Sequence, residues 1–93
     1  MTKDQIKQKL IDEGFVHIYE WKDEGGKSYA SHAHKGKVVL YIIQGSIEFT
    51  FGDSKQLVHT GDRFDVPPGG VHTAIVGPDG CEYIVGEMIE GDS

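Results

Sequence analysis

The first residues of the chain carry hydrophobic side chains at the spacing of an α-helix. A Thr-x-x-Gln capping box at residues 2–5 is typical of a helix start, and Gly14 stands where a glycine often ends a helix. This pattern predicts one short amphipathic helix over residues 3–13, which flanks or plugs the rest of the domain. The apolar residues on its buried face are Ile6, Leu10 and Ile11.

From residue 15 onward the pattern changes to short segments rich in β-branched and aromatic residues. Glycine, proline and polar clusters separate them every few residues, and the chain holds 13 glycines. Turns are predicted at residues 44–46 and 77–80, and residues 22–27 are predicted to form a solvated loop. The segments predicted as strands are FVHIYEW, SYASHAH, KVVLYII, IEFTF, QLVH, RFDV, VHTAIV and CEYIVGEMI. About eight short strands predict an all-β sandwich or barrel, with a jelly roll as one solution.

The length and the charge limit what this domain does. At 93 residues, the chain forms one domain, residues 1–93, with the β region over residues 15–90. The net charge of −6 argues against binding nucleic acid or an anionic membrane surface. No signal peptide or membrane span is visible, so we expect a cytoplasmic protein. So small a barrel also gains from pairing its edge strands, so we expect a homodimer.

Two histidine-bearing segments are candidates for a binding site. Side chains alternate along a strand, so Ser28, Ala30, His32 and His34 are predicted to share one face. Imidazoles two residues apart can converge on one metal ion, although such a pair also occurs as ordinary hydrogen-bonding groups. His72 follows the rigid turn at residues 67–70, which either aims this histidine into a site or simply precedes a core strand.

These two segments resemble the two motifs of the cupin family. Gly26, five residues and the sequence HAH, followed by Gly45, resemble the first motif, G-x5-H-x-H-x3–4-E-x6-G. The segment GDRFDVPPGGVH, which ends at His72, resembles the second motif, G-x5-P-x-G-x2-H. The chain is therefore similar to a small single-domain cupin. This resemblance implies a double-stranded β-helix, a jelly-roll barrel, with one metal ion in its interior and His32, His34 and His72 as ligands.

The chain departs from the cupin motifs at two positions. Val38 stands in place of the glutamate of the first motif, and Val76 in place of the asparagine that often ends the second. Three neutral imidazoles leave a divalent ion its full charge and an open coordination position. The ion can be Fe, Mn, Ni, Cu or Zn, and a barrel that has lost its metal stays open as an alternative.

Three functions agree with this interpretation. The first is a metal-dependent dioxygenase, isomerase or lyase that acts on a small oxygenated organic compound. The second is a non-catalytic barrel that binds or senses a small molecule, and the third is a barrel that has lost its chemistry. Alternation places Val38, Leu40 and Ile42 on one face of their strand and His72, Ala74 and Val76 on one face of theirs, so the pocket is expected to be mostly apolar. Tyr29, Tyr41, Tyr83 and Gln44 can supply polar groups to this pocket, although core or interface roles are expected for them. His17 and His59 are expected at the surface or a strand edge, and Cys81 as a small buried residue.

Overall fold

The computed structural model describes residues 1–33 and 36–88, and these form one helix and six strands. The prediction of an all-β domain with a short N-terminal helix is confirmed. His34 and the last residues of the predicted β region lie outside the described residues. The elements are α1 (Lys3–Asp12), β1 (His17–Asp23), β2 (Ser28–His32), β3 (Lys37–Phe51), β4 (Ser54–His59), β5 (Arg63–Val66) and β6 (His72–Met88).

The six strands form a continuous antiparallel arrangement around the two long strands, β3 and β6. The main order is β1-β6-β3-β4, with β2 paired to the first half of β6 and β5 paired to the first half of β3. Because β3 and β6 each pair with different partners along their two halves, they pass from one face of the domain to the other. The result is a jelly-roll barrel with an interior between the two faces.

Two predicted turns are wrong, because the chain bends there without reversing. Residues 44–46 lie within β3 and residues 77–80 lie within β6. The strand pairing shifts register at both places, and Gly45 and Gly80 adopt positive φ angles of 99° and 84°. Glycine and bulges let a strand bend sharply, so each long strand continues into the second face. This accounts for six strands where the pattern predicts about eight.

The helix covers the outer side of the barrel. Its N-terminus has the predicted capping box, and it ends at Asp12, one residue earlier than predicted, with Glu13 as the C-cap. Ile6 and Leu10 are buried, but Ile11 is 55% exposed, so the predicted apolar face is narrower than expected. Within the described residues no helix has the length and apolar character that crossing a membrane requires.

Alternation along β3 divides the apolar residues between two cores. Val38, Leu40 and Ile42 face the barrel interior, as predicted, and pack there with Ala74 and Val76 of β6. The intervening residues of β3 face the helix instead. That outer core contains Ile6, Leu10, Phe15, Val39, Tyr41 and Ile84. The strand is therefore buried on both sides, and its inner side forms part of a cavity.

Candidate functional site

The barrel interior holds a cavity of about 260 Å³. Strands β1, β2, β3, β5 and β6 all contribute to its wall, so the site exists only once the barrel has closed. Most of its wall is apolar, as predicted. The lining residues are Tyr19, Trp21, Tyr29, His32, Val38, Leu40, Ile47, Phe49, Val66, His72, Ala74, Tyr83, Val85 and Glu87.

His72 is held in this wall by the turn that precedes it. The amide of Gly70 donates to the carbonyl of Pro67 at 3.1 Å, and Gly69 has a φ of 75°, which closes the turn. The imidazole is only 3% exposed and packs against Phe51, with the ring centroids 4.8 Å apart. Its Nδ1 lies 2.9 Å from the carbonyl oxygen of Gly70. The turn thus fixes both the position and the orientation of this ring.

His32 reaches the same cavity by way of a bulge in β2. Tyr29 pairs with Ala74 and His32 pairs with His72, so β2 has one residue more than β6 between these pairs. Tyr29 and His32 therefore both line the cavity, and the prediction that one face holds Ser28, Ala30 and His32 is wrong. An extra residue shifts the alternation, and nothing in the local pattern indicated it.

The two histidines are arranged alike. Their ring centroids are 4.5 Å apart, and Nδ1 of His32 lies 2.7 Å from the carbonyl oxygen of Ala30. A carbonyl oxygen only accepts, so Nδ1 donates in both rings, and in the neutral tautomer Nε2 carries the lone pair that binds metals. A backbone contact at the other ring nitrogen is typical of metal-ligating histidines.

The paired rings fit a metal ion, but the complete ligand set is not described. Within residues 1–33 and 36–88, no three His, Cys, Asp or Glu side chains lie together as a metal site. The third predicted ligand, His34, falls outside these residues. The assignment of His32, His34 and His72 as metal ligands therefore stays a prediction.

The wall of the cavity also contains a carboxylate that lies outside both cupin motifs. Val38 faces the cavity, and its neighbour across the ladder is Glu87 of β6, which also lines it. The Tyr19 hydroxyl donates to Oε2 of Glu87 at 2.9 Å. Burial, followed by this contact, raises the pKa of Tyr19 to about 12, so the phenol keeps its proton at neutral pH.

A second carboxylate, Asp23, lies behind the aromatic part of the wall. Asp23 belongs to the end of β1 and is 8% exposed, so its prediction as part of a solvated loop is wrong. It accepts hydrogen bonds from Nε1 of Trp21 at 2.9 Å, the Tyr29 hydroxyl at 2.7 Å and the Tyr83 hydroxyl at 2.8 Å. Burial, and then the contact with Asp23, raises the pKa of both tyrosines. Alternation along β1 from Tyr19 would have indicated this inward position.

Comparison with known proteins identifies the family. A family profile described as the cupin domain matches residues 19–86. The chain belongs to the cupin family. A cupin superfamily protein from Desulfitobacterium hafniense is 25% identical to it, with a TM-score of 0.69 over 83% of this chain and 70% of that one. No curated protein matches the sequence.

Two further cupin-like structures have names that state more than the fold. KdgF from a Halomonas species is 23% identical, with a TM-score of 0.63 over 81% of this chain and 71% of that one. The DMSP lyase DddQ from Ruegeria pomeroyi is 21% identical, with a TM-score of 0.69 over 82% of this chain and 39% of that one. At these identities, the likeness supports the shared cupin fold alone.

Tyr29 and Tyr83 line the cupin cavity, and the other described residues with expected core, interface or surface roles do not. His17 and His59 are exposed, as expected, and Nδ1 of His59 lies 3.4 Å from a carboxylate oxygen of Asp62. Cys81 is buried in the core, where burial raises the pKa of its thiol to about 11. Tyr41 packs under the helix. None of these side chains lines the cavity in the described part of the chain.

Proposed function

We propose that this cupin binds one divalent transition metal ion through His32, His34 and His72. We also propose that it acts on a small oxygenated organic compound as a dioxygenase, an isomerase or a lyase. The observation that carries the proposal is the pair of imidazoles in the cavity, each with Nδ1 tied to a backbone carbonyl. With Nδ1 donating to a carbonyl, Nε2 carries the lone pair that would bind a metal, and the backbone contacts orient both rings.

The cavity limits the ligand to a small molecule. Its 260 Å³ lie below the range of about 300–1,000 Å³ in which drug-sized ligands bind. A bound divalent ion would act as a Lewis acid toward an oxygen group of the ligand. The largely apolar wall would shield part of the ligand from water, and Glu87 provides a carboxylate beside the ligand that can accept a proton.

The metal content of purified variants tests this proposal. We expect stoichiometric metal by elemental analysis in the wild-type protein, and its loss in His32→Ala and His34→Ala. His59→Ala is the matched control, because His59 is an exposed histidine outside the cavity and its removal should leave the metal in place. Circular dichroism checks that each variant folds. Metal-free wild-type protein after growth in metal-supplemented medium would contradict the proposal.

A second candidate function is a barrel that binds a small molecule without catalysis. Val38 favours it, because this apolar side chain faces the cavity where the cupin motif has a glutamate. Thermal unfolding with a panel of metals and organic compounds separates the two functions. Stabilisation by an organic compound in the metal-free protein, together with no response to metals, favours the binding barrel. No response to either would favour a barrel that has lost its chemistry.

A further inference from the structure

Aromatic side chains supply most of the polar groups in the cavity wall. Four aromatic side chains with polar tips line it, and Glu87 is a carboxylate in the same wall. Among the lining residues that the structure describes, none is lysine or arginine. Two of the rings are also open to solvent, since 40% of Tyr19 and 51% of Trp21 are exposed. The aromatic residues are Tyr19, Trp21, Tyr29 and Tyr83.

Hydrogen bonds to carboxylates make these rings richer in electrons. Tyr19 donates to Glu87, and the other three rings donate to Asp23. Three donors suit an ionised carboxylate, which only accepts. Donation to a negative acceptor increases the electron density of a phenol or an indole, and the faces of these rings attract cations through their quadrupole.

One of these rings already has a cation near it. Nζ of Lys27 lies 5.6 Å from the centre of the Tyr29 ring, on a tyrosine whose hydroxyl donates to Asp23. This distance is within the range of about 6 Å in which cation–π attraction is significant.

We propose that the cavity binds a compact organic cation of the alkylated ammonium class, held against the aromatic faces beside Glu87. This inference depends on the proposed function in one respect, that the ligand binds in this cavity. It adds the chemical class of that ligand. Alkyl groups fit the apolar wall, and an alkylated cation gives up less hydration on entering it than a bare ammonium or an inorganic cation. In the metal-free cavity, an anionic group would find no lysine or arginine among the described lining residues.

The single tryptophan provides the assay. Trp21 is the only tryptophan in the sequence and it lines the cavity, so its fluorescence reports ligand entry. Metal-free protein is titrated with choline and with 3,3-dimethylbutan-1-ol, a neutral molecule of the same shape with carbon in place of nitrogen. We expect choline to bind at least about tenfold more tightly, which corresponds to about 1.4 kcal/mol. Isothermal titration calorimetry on the same pair checks any titration that leaves fluorescence unchanged.

Two variants assign the selectivity to named residues. Glu87→Gln should weaken choline several-fold and leave the neutral alcohol unchanged. Asp53→Asn makes the same charge change at an exposed turn and should affect neither ligand. Trp21→Leu, measured by calorimetry, should remove most of the preference for choline, because it replaces the strongest cation-binding ring with an aliphatic side chain.

Equal affinity for the two molecules, or no binding of either by both methods, would overturn the inference. An Asp53→Asn effect as large as that of Glu87→Gln would also overturn it, because the preference would then reflect overall charge. The test uses metal-free protein, and metal content is measured separately. A failure of the cation site and a failure of the metal site are therefore distinguishable.

Discussion

Removing the carboxylate of Asp23 should destabilise the barrel more than any substitution of an exposed acid. Asp23 is 8% exposed and joins β1, β2 and β6 through the side chains of Trp21, Tyr29 and Tyr83. Asp23→Ala removes the acceptor from all three donors at once. The Tyr83 hydroxyl is buried and would be left without this partner, which adds the cost of an unsatisfied polar group.

The magnitude follows from the number of bonds lost. A hydrogen bond to a charged group contributes about 1.5–3 kcal/mol. We use the lower value because Asp23→Ala also removes the cost of burying the carboxylate charge, which offsets part of the loss. Three such bonds give about 4.5 kcal/mol, a large share of the roughly 5–15 kcal/mol that stabilises a domain. Asp23→Asn keeps one acceptor oxygen and loses the charge, so we expect it to cost about 1–2 kcal/mol.

Urea unfolding followed by circular dichroism measures both variants. Asp53→Asn, at an exposed turn, is the control and should change the free energy of unfolding by less than about 0.5 kcal/mol. Tyrosinate absorbance provides a second measurement. In Asp23→Asn, the pKa of Tyr83 should fall but stay above its usual value, because burial is the larger cause of its rise. An Asp23→Ala protein within about 1 kcal/mol of the wild type would refute this reasoning.

Three other predictions concern the bend, the helix and the assembly. Gly45→Ala should destabilise the fold by more than about 3 kcal/mol in the urea assay, because φ is 99° and a Cβ would overlap the carbonyl of Gly80. Gly52→Ala is the control, and it should cost about 1 kcal/mol because the space around Gly52 is open. Arg63 lowers the pKa of Glu13 from 4.5 to about 2. The stability that this ion pair contributes to the fold is therefore present above pH 4.5 and is lost as the pH falls toward 2. Glu13→Gln should abolish this pH dependence and lower the free energy of unfolding by only about 1 kcal/mol, because the pair is partly exposed. Equal acid sensitivity of the wild type and the variant would contradict this prediction. Light scattering coupled to size-exclusion chromatography should give the mass of a homodimer, and a monomer mass would exclude it.

Much of the fold was predictable because its signals are local. The capping box, the alternation along β3 and the rigid turn before His72 each depend on neighbouring residues, and each is confirmed. The bends in β3 and β6 were predicted as turns, since glycine permits both a reversal and a bend. Only the pairing of a strand with partners on both faces distinguishes the two.

The candidate site was less predictable because its members come from distant strands. The sequence alone determined the short helix, the β-rich segments and the cupin motifs, which name His32, His34 and His72 as candidate ligands. The tertiary structure decided that Asp23 meets Tyr29 and Tyr83 and that Glu87 faces the cavity. Tyr19 and Glu87 are 68 residues apart, and Asp23 and Tyr83 are 60 apart. Closure of the barrel brings them together, and a local pattern does not indicate which strands pair when the chain closes.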